Sequence, residues 1–153
     1  MVDIDVAIAV HVLSVIWWIG GMAFATTVAL PALRAGEMGE RHGAFRSIEG
    51  RFAPQARIAV TLVGLSGVYM LSRLHMWTLF TQARFWWLDA MAIYWLFFVT
   101  LLFVLEPSGL FERMVMHGDD ESRIWRRVLT VHRVLLAVAV IVVAGAVLGA
   151  QGF

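Results

Sequence analysis

Four long apolar runs constrain this chain more than any other feature. Val6 to Leu33 contains one ionisable side chain, His11. Ile58 to Ser72 is uncharged, and Leu74 to Ala83 extends it past Arg73. Phe85 to Leu105 carries only Asp89, and Val134 to Phe153 carries no charge. A bilayer's hydrocarbon core takes about 20 residues of helix to cross. The runs therefore predict transmembrane helices near 5–33, 55–79, 84–106 and 124–150. The expected fold is all-α, an integral membrane four-helix bundle forming one domain over 1–153. The first run lacks a basic leader, begins with Asp3 and Asp5 and is too long for a signal-peptide core, so it reads as a retained helix.

Composition narrows the chemistry. Hydrophobic residues make up 61% of the 153 positions and charged residues 15%, which is the balance of a lipid-embedded protein. A net charge of +1 offers no basic field for nucleic acid. The chain has no cysteine, which excludes disulfides, zinc ribbons, iron–sulfur clusters and covalently attached haem.

Arginine placement predicts the topology. Arg34, Arg41, Arg46, Arg51 and Arg57 lie between the first and second runs, and Arg113, Arg123, Arg126, Arg127 and Arg133 between the third and fourth. The other face holds only Arg73 and Arg84. The positive-inside rule then puts both termini on the periplasmic side of a bacterial inner membrane. The 34–56 segment reads as a loop with a short surface helix, and Pro54 suits the first turn of the second transmembrane helix. Gly64 and Gly67, and Gly145 and Gly149, mark faces where helices can approach closely.

An ionisable group inside a bilayer needs a reason to be there. His11 lies about six residues into the first predicted helix, roughly 9 Å below its start. His75 falls about one turn before the second predicted helix ends, and Asp89 about one turn into the third. These boundaries place all three in one layer. From His11, one helical face runs through Ser14, Trp18, Gly21 and Ala25; back from His75, one runs through Leu71, Val68 and Gly64. Two imidazoles at equal depth on facing helices are a means of holding haem b by its iron. Arg73 and Arg84 would meet the propionates, or snorkel to the interface as ordinary arginines. Asp89 would fix a ligand histidine's tautomer, pair with Arg84, or relay protons. Trp18 is placed either to touch a porphyrin or to pack in the core. His132 lies far below His11, so it could serve only a second site, and a second haem with it. His42 and His117 read as loop residues. Met76 beside His75 and Met116 beside His117 suit cuprous copper chemically, but fall on opposite faces.

The stretch His11-Val-Leu-Ser-Val-Ile-Trp17-Trp18-Ile-Gly20-Gly21 is similar to the opening helix of the CopD and HemJ group of bacterial membrane proteins. Arg51-Phe-Ala-Pro54 leading to Leu65-Ser-Gly67-Val-Tyr-Met-Leu resembles that group's second helix, and Val131-His132-Arg133-Val-Leu-Leu resembles the last helix of CopD-like proteins. The resemblance implies a four-helix membrane bundle. In the HemJ branch it implies haem b on the first-helix histidine, matched by His11, and protoporphyrinogen oxidation. That branch carries a third-helix lysine where this chain has Trp86-Trp87-Leu88-Asp89, and the chain contains no lysine, which speaks against that reaction. In the CopD branch it implies copper uptake or resistance. Four-helix cytochromes b that exchange electrons with quinone share the architecture and the histidine placement.

The leading expectation is a membrane-embedded redox protein. Haem b, on His11 and His75, would pass electrons between a periplasmic-side partner or substrate and the quinone pool or a partner complex. The alternatives are a copper-handling membrane protein and a cofactor-free subunit of a larger complex, the latter docking through its glycine faces or as a homo-oligomer.

Overall fold

The computed structural model describes residues 2–35, 38–80, 82–107 and 121–151. Helix α1 (Val2–Phe24) continues through a π-helical turn, Ala25–Ala29, into α2 (Leu30–Ala35). Helix α3 runs unbroken from Met38 to Arg73. Short 3-10 turns at Met76–Leu79 and Ala83–Phe85 lead into α4 (Trp86–Thr100), which ends in a second π-helical turn, Leu101–Leu105. The last helix, α5, spans Glu121–Ala150. The described residues contain no strand, and four of the helical stretches are long and apolar enough to cross a membrane. The chain is a multi-pass membrane protein.

The expected spans hold in number and order, but both boundaries of the second helix differ, and the expected 34–56 loop is helical from Met38. The second helix begins at Met38 rather than near 55, so Pro54 lies inside it, and it stops at Arg73 rather than near 79. A proline within a membrane helix is tolerated because neighbours can satisfy the backbone groups it frees. The early stop has a local cause. His75 takes a left-handed backbone conformation, φ 54° and ψ 35°, which no continuing α-helix can contain. Histidine is among the residues that enter this region more often than most.

A single core joins the spans. Trp18 and Met22 of α1 meet Ala56, Ala59, Val60 and Val63 of α3, Tyr94 and Phe98 of α4, Leu102, and Ala139 of α5. Alanines on α3 bring its backbone close to α1, as small residues do in lipid. The aromatic rings fill the centre: Trp18 meets Phe98 edge-on at 4.9 Å and lies 5.7 Å from Tyr94. A smaller cluster of Leu30, Trp125 and Leu129 closes one end. Near the other end, Gly145 and Gly149 receive the rings of Trp86 and Trp87, and Gly64 receives Trp95. Each expected glycine face therefore packs against an aromatic ring or, at Gly67, an imidazole.

Several polar side chains in the spans bond within the protein, whereas Trp87 Nε1 is buried without a hydrogen-bond partner among the described residues. Thr26, Thr27, Thr100 and Thr130 donate to carbonyls one turn back on their own helices. Trp95 Nε1 donates across to the Val60 carbonyl at 2.9 Å, and the Tyr94 hydroxyl to the Leu135 carbonyl at 3.0 Å. Arg57 donates to the Leu102 carbonyl and pairs with Glu106 at 3.2 Å.

A side chain at Gly64 would occupy the space of the Trp95 ring, whereas Gly20 faces open space. Gly64→Leu should therefore destabilise the bundle by about 1–3 kcal/mol through overpacking, and by more if the bond from Trp95 to Val60 breaks. Gly20→Leu should leave stability within about 0.5 kcal/mol of wild type. Reversible unfolding in detergent micelles, followed by tryptophan fluorescence, separates the two.

Candidate functional site

Three contacts fix how α1 lies against α3. Near one end of the bundle the Asp3 carboxylate accepts from the Tyr69 hydroxyl at 2.8 Å and from Arg73 at 2.7 Å. Deeper, His11 meets Val63, Ser66 and Gly67. Deeper again, Gly21 faces the ring of Phe52. The helices are antiparallel: moving down α1 from Asp3 to His11 to Gly21 moves back along α3 from Arg73 to Val63 to Phe52. The short connection to α4 and the seating of Trp87 on Gly149 bring both ends of the described chain to the Asp3 end.

His11 is half-buried in the seam between α1 and α3. Its Nδ1 lies 3.1 Å from the Val63 carbonyl oxygen and 3.0 Å from Ser66 Oγ. Ser66 directs its own hydroxyl hydrogen to the Leu62 carbonyl at 2.5 Å. Both neighbours of Nδ1 are therefore acceptors, so Nδ1 carries the proton and Nε2 carries the lone pair. Nε2 has no hydrogen-bond partner among the described residues. Gly67 gives the ring room: a Cβ there would stand 3.4 Å from His11 Cε1. The imidazole is thus fixed in tautomer and orientation by its far nitrogen, as metal-binding histidines commonly are.

Packing changes at this layer. Below it, Ser14, Trp18 and Met22 of α1 and Ala53 through Ser66 of α3 include the buried face of each helix. Above it, no described residue of α1 or α3 is buried; Ile4, Ala7, Gly67 and Met70 are half-exposed. His11 and Ser66 mark the level at which the shared core of α1 and α3 stops.

The expected layer of His11, His75 and Asp89 does not form as drawn. His75 lies outside α3, exposed in the left-handed turn. It follows the end of α3 at Arg73, beyond the residues that meet His11. Its expected inward face holds only in part: Gly64 packs on Trp95 and Leu71 is half-buried, but Val68 is exposed, and the buried stripe of α3 runs through Ala56, Ala59, Val63 and Ser66. Apolar residues continue past Arg73, but the helix does not. Arg73 is engaged by Asp3 rather than left for a propionate. Arg84 is exposed, with its guanidinium 5.9 Å from the centre of the Phe85 ring. Asp89 is half-buried in the first turn of α4, where a carboxylate meets the positive end of the helix dipole; Val63 and Ser66, not Asp89, take the His11 proton. Trp18 is buried in the aromatic core. At the opposite end His132 is half-buried and donates from Nδ1 to the Val128 carbonyl of its own helix at 2.9 Å. His117 lies outside the described residues, and His42 contributes its backbone to α3.

Reading the sequence missed Ser66, Tyr69 and the pair of Arg57 with Glu106. Ser66, a polar residue in an apolar helix beside Gly67, was the available signal. Among the described residues there is no cluster of three or more His, Cys, Asp or Glu side chains able to hold a metal ion. No family model, curated protein or solved structure shows a similarity to this chain.

The tautomer is directly measurable. Histidine 15N chemical shifts in micelles should show His11 protonated at Nδ1 and bare at Nε2 at neutral pH. Ser66→Ala should preserve that state, because the Val63 carbonyl remains. A bare Nδ1 in wild type would overturn the assignment.

Proposed function

We propose that this chain is a membrane-embedded redox protein that binds haem b at its Asp3 end through His11. One observation carries the reading: a half-buried imidazole is locked by two acceptors on Nδ1, with its Nε2 lone pair uncommitted at the level where the core of α1 and α3 stops. The donor chemistry suits iron, for which neutral imidazole nitrogen is a standard axial ligand. The reading rests on His11 alone, since His75 stands exposed in the left-handed turn outside α3 and not in the seam. His11 is thus the residue that would hold the iron in this layer. The likeness of the first helix to the CopD and HemJ group points the same way, since the HemJ branch holds haem on the matching histidine.

Haem bound there would supply one-electron transfer. The chain's own residues have separate tasks. Val63 and Ser66 hold the imidazole in its ligating tautomer, and Gly67 leaves room for the ring. The Asp3, Tyr69 and Arg73 contact pins the end of α1 above it. The arginine distribution supports an orientation with both termini on the periplasmic side of a bacterial inner membrane. Haem near that face suits exchange between a periplasmic-side partner or substrate and the quinone pool or a partner complex.

The test is the dithionite-reduced optical spectrum of protein purified from haem-replete cells. Wild type should show a sharp α band and contain about one haem per chain. His11→Ala should lose most of it, while His75→Ala and His132→Ala should retain it. A colourless wild-type protein that co-purifies with partners would favour the cofactor-free subunit. Colourless protein carrying copper would favour copper handling.

A further inference from the structure

A groove lies at the end of the bundle remote from Asp3, between the π-helical turn of the first span and α5. Its volume is about 700 Å³, and its walls include Thr26, Thr27, Pro31, Arg133, Leu136 and Val140. The wall on α5 is a stripe. From Arg133 it passes through Leu136, Ala137, Val140 and Ile141, which follow one another at helical spacing along one face. The stripe extends for about 12 Å from the arginine toward the middle of the membrane.

The groove's polar groups are unequal. Thr26 and Thr27 have given their hydroxyl hydrogens to the Met22 and Ala23 carbonyls. Pro31 has no N–H to offer. Arg133 alone among these walls brings a full charge and free donors. Among the described residues it has no ion pair or hydrogen bond, unlike Arg57 and Arg73. It also lies deep. Arg133 precedes Gly149 by about sixteen residues, so it sits roughly 24 Å from the layer where Trp87 meets that glycine. A hydrocarbon core is about 30 Å thick. The guanidinium therefore belongs just inside the far margin of the apolar layer, where an unpaired cation is unfavourable and a phosphate is within reach.

We propose that this groove is a binding site for an anionic phospholipid of that leaflet. Arg133 holds the phosphate, whose oxygens match the planar guanidinium fork. One acyl chain lies in the trough formed by Leu136, Ala137, Val140 and Ile141. A charged mouth at headgroup depth opening on an apolar trough toward the midplane is the shape of a phospholipid and not of a soluble anion. The proposal does not depend on haem at the other end.

Native mass spectrometry on the full chain tests it. Protein is released from nanodiscs of equal phosphatidylglycerol and phosphatidylcholine, and retained lipid is counted. Wild type should retain phosphatidylglycerol in preference by about fivefold, the effect expected of one arginine at an anionic surface. Arg133→Gln should abolish that preference, and Arg133→Lys should keep part of it. Ala137→Phe should also lower retention by filling the trough with the charge intact. Arg127→Gln, an exposed arginine outside the groove, should change nothing. Millimolar inorganic phosphate should not displace the lipid. Equal preference in wild type and Arg133→Gln would overturn the proposal, as would an equal loss in Arg127→Gln or displacement by phosphate alone. If Arg133→Gln fails to fold, Arg133→Lys and Ala137→Phe decide the matter between them.

Discussion

A bilayer supplies no hydrogen bonds, so a polar group within the spans is stabilised by finding a partner in the protein. Four of the cross-helix ties that result share one form. His11 donates to the Val63 carbonyl, Trp95 to Val60, Tyr94 to Leu135 and Arg57 to Leu102. Every acceptor is a backbone oxygen of another helix. At Val60, Val63 and Leu135 such an oxygen, within its helix, can accept that helix's N–H with one lone pair and the side chain with the other, while Leu102 stands at a helix end, where Pro107 has no N–H to offer. Val60 and Val63 lie on the buried face of α3, so two of the four ties converge on one stretch of backbone. Small residues there let the donors come close.

This arrangement explains both the fold and the site. Aromatic and alanine packing between α1, α3 and α4 forms the apolar core. The ties select one register, because a shift of one residue would move each donor away from its carbonyl. At the upper margin of that core, the same requirement fixes His11. Satisfying Nδ1 inside the protein leaves Nε2 as the nitrogen with an unused lone pair. A constraint of the bundle thus leaves uncommitted the nitrogen that the proposed haem binding would use.

The four spans were legible in the sequence because apolar length needs no partner to be recognised. The glycine faces were legible too, at Gly64, Gly145 and Gly149, each of which receives an aromatic ring. His11 stood out as the one ionisable side chain of the first run. Its partners did not. A carbonyl acceptor has no sequence signature, since any residue could stand at position 63. The pairing with His75 failed for a different reason. Apolar residues continue past Arg73, so hydropathy extends the helix to 79, but the chain turns at His75 through a left-handed conformation. Hydropathy reports burial in lipid and is insensitive to that turn. The continuous α3 from Met38 was equally hidden, because Pro54 reads as a start signal.

The two ends of the bundle emerge with different characters. At the Asp3 end, charges pair with one another and the imidazole is held below them. At the other end Arg57 pairs with Glu106, while Arg133 faces an apolar groove. The most direct measurement of the central claim is haem content of His11→Gly protein purified with and without exogenous imidazole. The account predicts little haem without imidazole and substantial recovery with it, since the small molecule can fill the space and supply the missing nitrogen. Full haem occupancy in His11→Gly without imidazole would contradict it.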